Sequence, residues 1–360
     1  MARLKNTTIS TDLNLPTGTT VQRPTAVAGM LRHNSETNSY EYYNGSEWVI
    51  RHSGIVASGG QDTYDFGPFR VHVFTGNGTF TISNSGIVDV LLVAGGGGGG
   101  CHVPGGGGAG GLIYRPDLLL NAGNYSIVVG DGGVGSFNPG SNPTAYAGMP
   151  NATRGGDTTG FSLTAKGGGI GASWTQDQRS IISGGSGGGN NINRSSSGGA
   201  ATQPSQSGDS GTYGYGHDGA SGLESGTSPY PCGGGGGAGG PGTPAPILER
   251  AGDGGPGRFY GDKFGTNYGE NGWFAGGGGG GGWGNPTNGR GFGGIGGGGD
   301  GSSPTGNGTG NDVRTSIGEP TGESGLANTG GGGGGAGRTG GESSRGGNGG
   351  SGIVMIRYLR

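Results

Sequence analysis

The chain has 360 residues, of which 103 are glycine and 18 proline, about a third of the whole. Leu, Ile, Val and Phe together supply fewer than one residue in six, too few to fill an ordinary globular core, so the choice lies between disorder and an architecture that needs little apolar packing. A formal net charge of −3 with 12% charged residues is too small for a typical solvated disordered chain, and it gives no electrostatic reason to expect a nucleic-acid partner.

Residues 1–52 hold few glycines and form a first zone. Met1–Ser10 is polar and lacks the apolar stretch of a secretory signal. Tyr40-Glu41-Tyr42-Tyr43, Asn44-Gly45 and Ser46-Glu47-Trp48-Val49-Ile50 predict a hairpin, because Asn-Gly suits a type I′ turn and aromatic and β-branched residues suit the flanking strands. A hairpin of this size is marginal alone. It is therefore expected to fold in an oligomer or on a partner, with Tyr40, Tyr42, Trp48 and Ile50 as the attachment or oligomerisation residues. Residues 53–68 are expected to be a linker.

A β-rich opening follows. Phe69–Thr75 and Gly78–Ser83 alternate as strands around Gly76-Asn77, and Ile87–Ala94 is a more deeply buried strand. This longest apolar segment is interrupted by Asp89 and far too short to cross a bilayer as a helix, so no membrane insertion is expected. Tyr125–Val129 is a further strand candidate. The last apolar segment, Gly352–Tyr358, is expected to return and pair near 87–94. Residues 69–94 and 352–358 then form a small β-base that closes a glycine-rich excursion over 95–351.

Inside the excursion glycine runs recur at 95–100, 105–111, 184–189, 233–240, 276–282, 293–299, 330–337 and 346–350, at irregular spacing. Glycine does not fall at every third position, which excludes collagen. Each ordered glycine costs about 0.5–1 kcal/mol more than alanine in regular structure, and something must offset that. In the polyproline-II conformation every N–H and C=O points outward. Strands packed side by side can then bond laterally, at a net gain of about 0.5–1.5 kcal/mol per bond. Only glycine lets the backbones approach. The expected fold is thus mostly β and irregular, with an N-terminal hairpin module, a small β-base, packed polyglycine strands and essentially no α-helix.

Little in the sequence points to catalysis. Matches to G-x-G-x-x-G, as near Gly130–Gly135, carry no information in so glycine-rich a chain, because a nucleotide site also needs a strand before and a helix after. No histidine has a metal-like partner at short spacing, and the adjacent Cys101-His102 cannot make a four-ligand zinc shell. No G-x-S-x-G elbow sits between a strand and a helix. Neither an enzyme, a cofactor nor a metal is expected. Cys101 and Cys232, each beside a glycine run, are buried thiols or a disulfide.

The inter-run segments carry aromatic residues: Trp174; Tyr213, Tyr215, His217 and Tyr230; Phe259, Tyr260, Phe264, Tyr268, Trp273 and Phe274; then Trp283 and Phe292. Tyr and Trp dominate many recognition surfaces, which makes Trp174, Tyr213, Tyr215, Tyr230, Tyr260, Tyr268, Trp273, Phe274 and Trp283 receptor-contact candidates. The alternative is that these rings cap the glycine bundle or pack between subunits, where other apolar material is scarce.

DVLLVAGGGGGG (89–100), answered by GGSGIVMIRY (349–358), resembles the opening and closing of glycine-rich domains in bacteriophage tail fibres and adhesins. Some of these fold as stacked polyglycine-II helices with variable loops at a distal tip. RPTAVAGMLRHNSETNSYEYYNGSEWVIR (23–51) is similar to short modules of virion structural proteins, especially in marine and cyanobacterial phages. The resemblance implies a fibre on the virion, assembled in the host cytoplasm, frequently a homotrimer. It would join other virion proteins through the N-terminal module and bind a host cell-surface glycan or protein without turnover. A purely structural decoration of capsid, neck or collar is the alternative.

Overall fold

The computed structural model describes residues 14–37, 39–52, 55–139, 152–173, 182–191, 197–223, 230–246, 250–283, 289–303, 321–337 and 343–360. Four short strands form the N-terminal module: β1 (Thr17–Gly18), β2 (Leu31–Asn34), β3 (Ser39–Tyr43) and β4 (Trp48–His52), in that order in one sheet. β1 runs parallel to β2 and the other pairs are antiparallel. The predicted hairpin is present with a different turn. Tyr43 pairs with Trp48, leaving a four-residue loop rather than two. The Asn44 side chain explains the change, because its Oδ1 accepts the backbone N–H of Ser46 at 2.8 Å and of Glu47 at 2.9 Å, an Asx turn that Gly45 completes at φ +111°.

The module has a polar interior. β2 and β3 bury Arg32, Asn34, Ser39 and Glu41 while Tyr40 stays 41% exposed. Glu41 accepts from Arg23 Nη2 at 2.6 Å, Arg32 Nη1 at 2.8 Å and Asn34 Nδ2 at 2.8 Å. Burial pushes the Glu41 carboxyl up, but the hydrogen bonds from Arg23, Asn34 and Arg32 outweigh it and hold the group below its ordinary range.

The stretch expected to be a linker instead contributes β5 (Ala57–Ser58) and β6 (Asp62–Phe66) to the β-base. The base continues with β7 (Phe69–Phe74), β8 (Gly78–Ile82), β9 (Gly86–Val93), β10 (Leu112–Leu120), β11 (Gly123–Ile127), β12 (Gly214–Tyr215) and β13 (Ile353–Leu359). A six-stranded antiparallel sheet has the order β12-β10-β9-β13-β7-β6, and a three-stranded one the order β11-β8-β5. The closing strand β13 lies between β9 and β7, so the two ends of the glycine region meet as expected. β7 and β8 do not pair with each other, because the chain crosses between the sheets at 75–77.

The larger sheet is covered on both faces, which is why β9 reads as a continuous apolar run and not as an alternating one. On one face Val90, Leu92, Ile113, Val354 and Ile356 meet Phe80, Ile82 and Ile127 of the smaller sheet. On the other, Val71, Val73, Leu91, Ile353 and Met355 meet Tyr260, Phe264, Phe274 and the alanines 109, 238 and 275. His72 is buried against the first core, with Nε2 3.0 Å from the Tyr358 hydroxyl and Nδ1 2.7 Å from the Gly59 carbonyl. Burial lowers its pKa. Among the described residues α-helix is confined to two single turns, Asp209–Thr212 and Gly261–Phe264, with one 3-10 turn at Thr20–Gln22.

The glycine runs form a hydrogen-bonded lattice. Every residue of 95–100 both donates and accepts through the backbone. Donation repeats every third residue: Gly95 and Gly98 to 156 and 153, Gly96 and Gly99 to 350 and 347, Gly97 and Gly100 to 108 and 105, all at 2.9–3.1 Å. Acceptance repeats likewise, from 168 and 171, from 133 and 136, and from 333 and 336. The run is therefore ringed by six neighbours, three antiparallel and three parallel. Three-residue periodicity with lateral bonds in every direction is what a polyproline-II backbone offers. Residues 276–281 are also ringed by six neighbours, two parallel (296–299 and 332–335) and four antiparallel (252–255, 104–107, 291–294 and 232–235).

This close approach excludes side chains. A Cβ at Gly107 would lie 2.2 Å from the Gly97 carbonyl oxygen. Alanine enters where runs meet the base: Ala94, Ala109, Ala238 and Ala275, all fully buried, belong to the apolar clusters. At the lattice rim, carboxylates replace carbonyls as acceptors. Glu270 accepts from the N–H of Gly296 and Gly297 at 2.7 and 2.8 Å, Asp300 from Gly293, and Asp157 from Gly167. The two cysteines are free and buried.

Candidate functional site

The lattice has two ends. Runs leave the base at Ala94, Ala238 and Ala275 and reach Cys101, Cys232 and Trp283 at the other end, a span of roughly 20 Å at about 3.1 Å per residue. The far end is tied together by side chains: Cys101 N–H bonds Ser173 Oγ at 3.1 Å, Ser136 and Ser173 hydroxyls meet at 3.3 Å, and Gly337 N–H bonds Ser302 Oγ at 2.9 Å. Ser173, Asn191, Leu223, Trp283, Ser303 and Gly337 all stand at this end.

The aromatic candidates divide between the two ends. Phe274 is fully buried and Tyr260 is 5% exposed, both in the second core, and burial pushes the Tyr260 hydroxyl up to about 12. Tyr215 packs on the same cluster under the Arg258 guanidinium, 3.7 Å from its ring centre. Tyr268 stacks on Tyr64 and donates to Asp62 at 2.8 Å, and burial together with that carboxylate pushes it up to about 12. Tyr213 packs on the first core with Arg115 over its ring. Trp273 pairs with Phe259 beside the base. These rings supply the apolar cover of a sheet face, so Phe274 and Tyr260 are withdrawn from the surface. Trp174 lies outside the described residues.

The hairpin candidates do not share one surface. Cross-strand partners put Tyr42 opposite Val49 and Tyr40 opposite Arg51, whereas Ile50 is opposite Glu41 and Trp48 opposite Tyr43. Tyr40 and Tyr42 therefore face away from the Glu41 network, and Trp48 and Ile50 lie on its side.

Tyr230 and Trp283 are the exceptions at the far end. Tyr230–Pro231 pairs antiparallel with Gly282–Trp283, and the two rings stack with centres 5.3 Å apart. With His102 and Val103 they line a cavity of about 140 Å³. Trp283 Nε1 is buried with no hydrogen-bond partner among the described residues. The turn that reverses the chain between two runs brings His102 and Val103 in at φ +52° and +61°. For a β-branched residue such a backbone is a genuine outlier, and strain of this kind gathers at functional sites. In the sequence Cys101-His102 is legible only as an incomplete zinc pair and Val103 carries no signal, although Cys101-His102-Val103-Pro104 is a conspicuous break between glycine runs.

Among the described residues no group of three or more His, Cys, Asp or Glu is placed to hold a metal ion, and no helix is long and apolar enough to cross a membrane. None of the curated proteins compared with the chain matches it. The profile of a glycine-rich domain matches residues 73–359, from within β7 to the closing strand β13, and by this match the chain belongs to the glycine-rich domain family.

Proposed function

We propose that the protein is a structural fibre component of a bacteriophage virion, a tail fibre or adhesin that binds the host surface without catalysis. One observation carries the proposal. A side-chain-poor lattice separates the β-base from a far end where the ends of many runs and the Tyr230–Trp283 cavity come together. Such an arrangement favours display: the lattice is a rigid spacer, and many copies on one particle raise effective concentration so that weak contacts suffice.

Homotrimerisation and joining to other virion proteins are assigned to the N-terminal module, whose outer face carries Tyr40 and Tyr42. The glycine region gives no reason of its own to trimerise, since a single chain already surrounds 95–100 and 276–281 on all sides. The host ligand is a cell-surface glycan or protein. Nucleic acid has no part in it.

The test is immunogold electron microscopy of intact particles with antibody raised against residues 53–360. Label at the tail tip or on tail-borne fibres is the expected result. Label on the capsid shell, neck or collar overturns attachment and makes the domain a decoration.

A further inference from the structure

We infer that the far-end cavity is a binding site for one sugar ring of a surface glycan, stacked against the Tyr230–Trp283 pair, with a hydroxyl oxygen accepting the proton of the Trp283 indole. The inference rests on the attachment proposal for its biological setting and deepens it to a ligand class.

Size, wall chemistry and unmet hydrogen bonding lead to the same ligand. The cavity of about 140 Å³ is close to the roughly 150 Å³ void known to take up one benzene molecule. Its size suits one ring-sized group. The stacked rings and Val103 supply an apolar wall, which suits the C–H face of a sugar. The indole N–H is a buried donor that nothing in the described chain satisfies. An aliphatic or aryl side chain from a protein receptor would fill the volume and leave that donor unpaired, whereas a sugar has hydroxyls around its rim. The difference is worth about tenfold in affinity or more. The surrounding packing holds His102 and Val103, the third wall, at φ +52° and +61°, a backbone the turn would not choose freely.

The position fits as well. The pocket lies at the end of the lattice remote from the base, where Tyr230–Pro231 leads into the run 232–240 and Gly282–Trp283 ends the run 275–283. The lattice thus fixes the spacing of Tyr230 and Trp283 before any ligand arrives, which removes an ordering cost from binding.

The full 360-residue chain would be applied to a printed array of bacterial surface oligosaccharides, with the methyl glycosides of their terminal sugars as competitors. Trp283→Phe keeps an aromatic ring but removes the pyrrole half of the indole together with its N–H, and Tyr230→Ala removes the other member of the stack. The expected result is binding to glycans that share one terminal sugar, competition by its methyl glycoside, about tenfold weaker binding for Trp283→Phe, and a larger loss for Tyr230→Ala. Binding of no glycan overturns the inference. So does glycan binding that both variants retain, or protein-receptor binding that Trp283→Phe leaves intact. If a variant does not fold, the wild-type protein answers: an indole N–H resonance moves downfield on adding the methyl glycoside, or stays in place and the inference falls. Capsid labelling in the microscopy would remove the attachment role while leaving array binding untouched. An empty array would remove the pocket while leaving tail labelling untouched.

Discussion

At Leu92 a side chain fills the space between two sheets; at Gly107 the corresponding space is taken by the carbonyl oxygens of neighbouring chain segments. The base is held by apolar area removed from water. The lattice is held by peptide groups that each trade water for a protein partner, at about 0.5–1.5 kcal/mol net against about 0.5–1 kcal/mol for ordering a glycine. With margins so similar, the lattice stands only if almost every N–H is bonded, and that explains the carboxylates along its rim. The two regions should fail differently under mutation: a base tolerates a smaller side chain at a cost, whereas a lattice does not tolerate a larger one.

The largest effect is expected from Gly107→Ala. Its methyl group would sit 2.2 Å from the Gly97 carbonyl oxygen, with no flexible neighbour to yield. A loss above about 5 kcal/mol follows, in the exceptional range for one substitution, and denaturant unfolding or failure to express as soluble protein would register it. If Gly107→Ala unfolds like the wild type, the packing of runs described here is wrong. Ala109, two residues on, marks the contrast, because its methyl group is part of the base core.

Glu41→Ala comes next. It strands Arg32, 3% exposed, without its carboxylate, and breaking a buried pair from one side costs about 3–5 kcal/mol. The damage should stay in the N-terminal module, so proteolysis would clip within 14–52 while amide exchange across the lattice is unchanged. Loss of lattice protection in this variant would mean that the two regions fold as one unit. Leu92→Ala tests the base itself. A loss of about 2–5 kcal/mol is expected, and it should release β13 and with it the closure of the lattice. Thermal unfolding followed by exchange at 353–359 would reveal whether the two fail together.

The smallest effect concerns pH. His72 is buried and its pKa lies below the ordinary value, so the unfolded chain takes up a proton that the folded chain resists. Stability from this group is complete above about pH 6.5 and falls as pH drops below it, down to the folded-state pKa. His72→Gln should flatten that slope. An unchanged slope in the variant would assign it to another group.

Much of the β-base was legible because its strands are short apolar blocks bounded by glycine, and the return of 353–359 to the 86–93 strand followed from two matching apolar ends. β10 was missed: Leu112–Leu120 carries Arg115, Pro116 and Asp117 in a bulge, which interrupts the alternation that signals a strand. β5 and β6 read as a linker in the sequence because Asp62–Phe66 is a half-exposed edge, and nothing local marks an edge strand of that kind. The polar interior of the hairpin module was hidden for a plainer reason. Glu41 stands between tyrosines, and an alternating pattern does not say which face is buried. At the candidate site, Tyr230 and Trp283 were named, but only the lattice register could bring them together with Val103.

The peptide-built lattice also shapes how stability responds to temperature. Unfolding exposes mainly apolar surface in the base, which raises heat capacity, and mainly polar backbone in the glycine runs, which lowers it. The second contribution offsets the first, so the free-energy curve of the whole chain is shallow and lacks the steep decline on cooling that a large apolar core imposes. The glycine runs are therefore expected to stay ordered in cold water as well as in warm.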